Sequence, residues 1–392
     1  MKILVVSNLY YPNLIGGAER SSKLIAEGYA KRGHEVSVLT TSDRDYVEVI
    51  NGVTIYYHSF KHVFWRYESA DQSFGKKILW RLVERNNFLN NSLLEQFLAD
   101  IKPDVMHTNN IAGMGVDIWG IAKSLGIKVM HTARDYYLLC ARSGMFKNGA
   151  ACQEQCTSCK VYTSKYKKES ENVDGFIGVS NFVKQIHLDS GYFQSTKINT
   201  SINNIFDGDV QDITESNSSD ALSFGVLGAV RETKGVLELI DNINVRNTEK
   251  KIKLHIAGEC KTEGIKKKLL QKIQDKPIEY LGFVDPVDFF EKIDFLIHPA
   301  IWHEPYPRVI IESFSYGIPA IVSNTGGTKE AVIDNGTGFV YKNYFELNKI
   351  IEELSSPNFD YDSMSKSCLS YSTKFSEKNI IDRYEDVINK IQ

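Results

Sequence analysis

Short, unbroken apolar runs alternate with stretches of helical periodicity along almost the whole chain. In the first half the runs fall at 2–7 (KILVVS), 35–40 (EVSVLT), 53–58 (VTIYYH), 104–108 (DVMHT), 127–132 (IKVMHT), 175–180 (GFIGVS) and 197–202 (KINTSI). Helical stretches lie between them at about 18–31, 74–99 and 112–125, and another starts at Asn181. Strands that are apolar on both faces and separated by helices predict a parallel sheet covered on both sides. A polar, acidic stretch at 207–220 (DGDVQDITESNSSD) interrupts the pattern and reads as a linker. The alternation then restarts, with strands at 222–228, 253–258, 278–283, 294–299, 319–323 and 338–341. Helices are expected from Gly235, over the Lys-rich segment to about Gln274, over 308–316, from Thr328 and at the end of the chain.

The fold class is therefore α/β, with two doubly wound Rossmann-like domains, 1–205 and 206–374, facing a central cleft. Ligands of such sheets bind at the carboxyl ends of the strands. A chain of 392 residues with 42% hydrophobic and 24% charged residues can bury two cores. A formal net charge of -3 calls for no nucleic-acid partner. No apolar run approaches the roughly 20 residues of a membrane span. The opening MKILVVSNLYYP is broken too soon to be a signal peptide and reads as a first strand. These features place the chain in the cytoplasm.

Candidate chemistry sits at the expected strand ends. Gly16 and Gly17 (NLIGGAER) and Gly326 and Gly327 (SNTGGTKE) both fall between a strand and a helix. Residues without Cβ let backbone amides approach a ligand, and a helix N-terminus favours anions. A plain βα turn explains each pair equally well. GAVRETKG supplies Arg231 and Lys234, able to neutralise a diphosphate by a fork and by a point charge. The segment HEPYPRVIIE carries Glu304 and Glu312 around two prolines. A helix cap explains one such carboxylate but not both. Carboxylates accept paired hydrogen bonds from vicinal diols, so sugars and ribose are natural ligands. Amides near Arg308 and Val309 add donors at a helix start.

At these residues the sequence resembles the family 4 retaining glycosyltransferases of GT-B fold. The resemblance runs nearly end to end, through GGAER, HTARDYYLLC, VSNFVKQ, GAVRETKG, HEPYPRVIIESFSYGIPAIVSNTGGTKE and KFSEKNIIDRYEDVI. It implies that Glu312 holds the donor ribose, Glu304 faces the donor sugar and Lys234 contacts the diphosphate. Gly326 and Gly327 would lie by the sugar and phosphates, and Gly16 and Gly17 would close over the donor. The last helix, within 375–392, would return to the first domain. The implied activity moves a sugar from a UDP- or GDP-linked donor to a glycan or lipid-linked acceptor, in bacterial surface polysaccharide synthesis. The implied location is the cytoplasm or the inner face of the plasma membrane. Two positions depart from the family: Ala229 stands where Arg is usual, and Arg134-Asp135 where His-Asp is common. Arg stays protonated and cannot act as a base, so Arg134 is expected to position groups or stabilise charge. These departures motivate a rival reading, a non-catalytic nucleotide-sugar-binding protein of the same fold. No Asp-x-Asp motif stands between strands, so no cofactor is expected to be required for catalysis. A nicotinamide-dependent oxidoreductase lacks its GxGxxG fingerprint in both halves.

Two features stand outside that site. Cys140, Cys152, Cys156 and Cys159 cluster and suggest a structural zinc, a redox pair or plain buried thiols. The stretch FKHVFWRYESADQSFGKKILWRLVERNN mixes bases with Phe64, Trp65, Phe74 and Trp80. It reads either as a peripheral contact with an anionic membrane or as a packing helix with a solvated basic face. His107, His131 and His298 are expected in the core.

Overall fold

A computed structural model of the protein describes residues 1–14, 16–208, 210, 221–244, 250–356 and 358–392. Most of the segment read as a linker, 207–220, lies outside the described residues. The chain divides into two compact units. One comprises Met1–Met145, Cys152–Ile205 and Glu377–Gln392; the other comprises Phe146–Ala151 and Phe206–Ser376.

The first unit opens with β1 (Lys2–Val6), α1 (Gly17–Lys31), β2 (Glu35–Thr41), β3 (Tyr46–Ile50) and β4 (Val53–His58). It continues with α2 (Phe74–Asn86), α3 (Asn91–Ile101), β5 (Val105–Thr108), α4 (Asp117–Ser124) and β6 (Lys128–Ala133). A small hairpin, β7 (Phe146–Lys147) and β8 (Ala150–Ala151), belongs to the second unit, although the sequence reading assigned these residues to the first. Then come α5 (Thr157–Tyr162), α6 (Ser164–Glu169), β9 (Gly175–Gly178), α7 (Asn181–Asp189) and β10 (Ile198–Ser201).

These strands form one sheet in the order β10-β9-β6-β5-β1-β2-β4-β3, parallel except where β3 pairs antiparallel with β4. The sequence reading missed β3. It is an edge strand with Val47 and Val49 exposed, so it carries no core-facing apolar run. The single helix expected over 74–99 is broken at Asn87. That side chain is buried and donates to the carbonyls of Gly113 and Met114, and it accepts from Asn90 at 2.6 Å. Asparagine is neutral in helix propensity, so a polar joint of this kind leaves the hydrophobic period intact.

The second unit holds β11 (Ala221–Leu227), α8 (Val236–Asn242), β12 (Lys251–Ala257), α9 (Glu263–Ile273), β13 (Ile278–Gly282), α10 (Pro286–Phe290) and β14 (Phe295–His298). After them come α11 (Arg308–Ser315), β15 (Ala320–Ser323), β16 (Gly338–Tyr341), α12 (Tyr344–Ser355) and α13 (Tyr361–Ser372). Six of its strands form one all-parallel sheet in the order β13-β12-β11-β14-β15-β16. In chain order that is third, second, first, fourth, fifth, sixth, the doubly wound Rossmann order. The helix expected from Thr328 is only a short 3-10 turn, Thr328–Ala331.

The last helix, α14 (Glu377–Ile391), lies in the first unit. Ile380, Ile381, Tyr384, Val387, Ile388 and Ile391 repeat at helical spacing and are buried with Ile25 and Tyr29 of α1. Lys31 to Glu377 (2.7 Å) and Arg32 to Glu385 (2.6 Å) close its outer edge.

Candidate active site

In the second unit the strand order reverses between β11 and β14. The loops that leave their carboxyl ends, 228–235 and 299–307, therefore flank a switch point, where doubly wound sheets take their ligands. The two loops are joined by their backbones. Ile301 N–H donates to the Thr233 carbonyl at 3.0 Å, and Gly235 packs so closely that a Cβ there would lie 2.0 Å from the Pro299 oxygen. Gly235 also adopts φ +67, a left-handed conformation that glycine tolerates best.

Across that joint Lys234 Nζ donates to Glu304 Oε2 at 2.5 Å. Trp302 Nε1 donates to the same oxygen at 2.9 Å, and the Arg231 guanidinium lies 5.9 Å from the Trp302 ring centroid. Behind them His298, the last residue of β14, is buried with Nε2 at 3.7 Å from Glu304, too far for a hydrogen bond. Burial alone would raise the Glu304 carboxyl. The Lys234 charge beside it overrides burial and holds it well below the ordinary carboxylate range. Burial also pushes His298 down, so it sits there as a neutral ring.

The loop after β15 completes the assembly. Gly327 N–H donates to the Glu304 carbonyl at 2.8 Å, while Ser323 and Thr325 hydroxyls donate to the Ala300 carbonyl at 2.7 and 3.2 Å. The Gly-Gly pair was expected to offer its amides to a ligand. Gly327 instead uses its amide to fix the backbone of Glu304. At the start of α11, Arg308 donates to Asp207 at 2.8 Å, and its Nε lies 3.8 Å from Glu312. Val309 follows in the first turn, partly exposed.

Lys234, Glu304, Arg231, Gly326 and Gly327 are thus brought together directly. Arg308, Glu312 and Val309 follow along the loop that Glu304 begins. Sequence reasoning did not single out Trp302 or Asp207. His298, expected in the core, is buried at a strand end beside the switch point.

Gly16, Gly17 and Arg134 lie in the first unit. Gly16 caps α1 and its N–H already donates to Glu19 at 2.9 Å. Arg134 is 8% exposed and donates to Asn109 (2.9 Å), Asn204 (2.6 Å) and Tyr384 (3.2 Å). Its guanidinium ties the end of β6 to the chain after β10 and to α14. Next to it Asp135 accepts from Asn110 at 2.9 Å, and burial raises its carboxyl. His107 and His131 are buried among hydrogen-bonded partners and aromatic rings, as core residues.

Cys140, Cys156 and Cys159 lie close enough for their thiols to interact, and burial pushes Cys159 up to about 12. Among the described residues no disulfide joins the cysteines. Among the described residues no group of three or more His, Cys, Asp or Glu is placed to hold a metal ion.

Residues 15–200 match the model of Glycosyltransferase Family 4, and residues 211–367 match that of Glycosyl transferases group 1. An uncharacterised 42.6 kDa protein in the cps region of Klebsiella pneumoniae is 32% identical over 332 residues, covering 84% of this chain and 87% of its own. The capsular polysaccharide biosynthesis glycosyltransferase CapM of Staphylococcus aureus is 25% identical over 126 residues, 31% of this chain and 33% of that one. Among solved structures, Anabaena HepE in complex with UDP and glucose superposes with a TM-score of 0.69 at 16% identity, covering 99% of both chains. Two family models that divide the chain between them, and a relative alike across most of both lengths, show that the chain belongs to the family 4, group 1 glycosyltransferases, with the paired Rossmann-like units of the GT-B fold.

Proposed function

We propose that this protein transfers a sugar, with retention, from a nucleoside-diphosphate sugar to a glycan or lipid-linked acceptor in the assembly of a bacterial surface polysaccharide. The observation that carries the donor half is the Lys234–Glu304 pair at the switch point of the second sheet. Support for a uridine nucleotide comes from HepE, solved with UDP and glucose. Support for the polysaccharide setting comes from the relatives named for a cps region and for capsule synthesis. Family membership does not favour the non-catalytic alternative.

In this reading Glu312 accepts from the ribose diol, Glu304 faces the transferred sugar, and Lys234 with Arg231 neutralises the diphosphate. The bond from the anomeric carbon to the phosphate oxygen breaks as the acceptor oxygen bonds to that carbon on the same face. The departing phosphate takes the acceptor's proton, so no protein base is needed. Charge accumulates on the phosphate in the transition state, where a fixed ammonium is worth most. Arg134 acts through packing, and Lys234 and Arg231 supply the positive charge without a cofactor.

A thermal-shift panel of UDP- and GDP-sugars tests the donor. A true donor at about 100 times its Kd stabilises the protein by about 2.7 kcal/mol. Glu312→Ala removes hydrogen bonds to a charged acceptor and is expected to weaken that nucleotide sugar by about ten- to a hundredfold. Parent-like affinity in this variant overturns the ribose assignment.

The acceptor half includes a membrane contact through α2. Phe74, Ile78, Leu79 and Leu82 are exposed along one side of this helix, with Lys76, Lys77, Arg81 and Arg85 around them. An apolar ridge edged by bases suits an anionic bilayer. Among the described residues no helix is long and apolar enough to cross one. Phe74→Asp with Leu79→Asp is expected to abolish co-sedimentation with phosphatidylglycerol vesicles while leaving nucleotide affinity intact. Undiminished sedimentation sinks the contact.

A further inference from the structure

A cavity of about 250 Å3 opens in the first unit between α2 and the loop 137–143. Arg66, Lys77, Arg81 and Arg142 line it, together with the rings of Phe64, Trp80 and Tyr162. Arg66, Lys77 and Arg81 are half-buried, and none forms an ion pair with a described residue. The Arg66 guanidinium stands 5.5 Å from the Trp80 ring centroid, and Trp80 Nε1 donates to the Phe64 carbonyl at 3.1 Å, which fixes that wall. Among the described lining residues the one acid, Glu84, is buried and already occupied: Tyr137 and Tyr166 hydroxyls each donate to one of its oxygens. Its single charge is opposed by four cations.

Cations gathered in a partly desolvated hollow repel one another, and that arrangement is costly unless an anion offsets it. Three guanidiniums and an ammonium match the forked, multiply charged oxygens of a phosphate better than they match a neutral sugar. Burial raises the Glu84 carboxyl, and both of its oxygens face tyrosine hydroxyls.

We propose that this cavity binds a phosphate or diphosphate group carried by the acceptor substrate, held by Arg66, Arg81, Lys77 and Arg142 against the Trp80 wall. Naming that anion as the acceptor's rests on the glycosyl-transfer reading; the anion site itself does not. Lys77, Trp80 and Arg81 belong to α2, whose exposed ridge would lie on a bilayer. The same helix thus offers an apolar side to a lipid and a cationic side to its phosphate.

The test uses the full chain and inorganic pyrophosphate, titrated calorimetrically into the parent, Arg66→Gln/Arg81→Gln and Lys234→Ala, with thermal melting as the folding control. The pocket variant is expected to lose at least about tenfold in pyrophosphate affinity. Lys234→Ala should keep that site, and UDP and GDP affinities should be unchanged in the pocket variant. The milder Lys77→Gln should lose a few-fold. Geranyl diphosphate and glucose 1-phosphate separate the two sources: whichever binds more tightly than pyrophosphate marks a lipid-linked or a free phosphosugar acceptor. Parent-like pyrophosphate binding in the folded pocket variant overturns the proposal, as does loss of all pyrophosphate binding in Lys234→Ala. If the parent takes pyrophosphate at the pocket but no nucleotide, the glycosyl-transfer reading fails and the anion site stands.

Discussion

Lys234→Ala is expected to slow sugar transfer by about a hundred- to a thousandfold, mainly in kcat, because a fixed donor is removed from the point where negative charge develops. The same change should destabilise the second unit. Glu304 is left largely buried beside a neutral His298, with Trp302 its remaining donor. Breaking a buried pair by removing one partner typically costs about 3–5 kcal/mol. The pH dependence has a definite sign. In the parent the folded Glu304 carboxyl titrates below its unfolded value, so the pair adds stability above the ordinary Glu range near pH 4.3. That stability is lost as the pH falls toward the folded value. Without Lys234 the leading influence on the carboxyl is burial, which raises it. The gap in urea midpoint between parent and variant should therefore be widest near neutrality and narrow on acidification toward pH 3. Lys234→Arg keeps the charge and should recover most stability but less turnover, since the fork cannot reproduce the short single bond to Glu304. A variant that melts like the parent and transfers at the parent's rate removes Lys234 from the site.

The position of this site was legible because it depends on local order along the chain. A strand, a polar loop and a helix recur, and the loops at 228–235, 299–307 and 324–327 must emerge at one edge of a parallel sheet. Lys234, Glu304 and Gly326 could be named from that alone. What was not legible depends on partners far apart in sequence. Arg134 was expected to position groups or stabilise charge, but nothing in the pattern named the groups it would hold. The structure surrounds it with Asn109, Asn204 and Tyr384, 25 to 250 positions away, and such a set leaves no periodic trace. Asp207 falls in a stretch that reads as solvent-facing linker, yet it holds Arg308 at the start of α11. The hairpin at 146–151 lacks any apolar run, so nothing in the pattern assigns it to the second unit. In the doubly wound fold the hydrophobic pattern sets where ligands bind, while individual long-range hydrogen bonds set which polar side chains remain available to them.

Gly326→Ala is expected to abolish measurable nucleotide-sugar binding at substrate concentrations that saturate the parent, with a loss of transfer above about a hundredfold. Gly326 holds φ +49, and an added Cβ would lie 2.6 Å from the Glu304 oxygen, 2.8 Å from the Glu304 nitrogen and 2.8 Å from the His303 carbonyl carbon. Those are backbone atoms, so no rotamer change relieves the clash. The loop must shift as a whole. The neighbouring bond from Gly327 to the Glu304 carbonyl would then stretch, and with it the anchor of the Glu304 side chain against Lys234. A displacement of about 1 Å at a reacting centre costs on the order of a hundredfold in rate. Left-handed backbone alone costs an alanine about 1–2 kcal/mol, and that share can be separated experimentally. Gly282 has φ +70 with no atom within 4 Å of its would-be Cβ. Gly282→Ala should therefore lower the melting temperature modestly and leave kcat and KM unchanged. If Gly326→Ala behaves like Gly282→Ala, strain without loss of binding or turnover, then the contact between the loop after β15 and Glu304 does not shape the donor site, and the assignment of Glu304 to the transferred sugar falls with it.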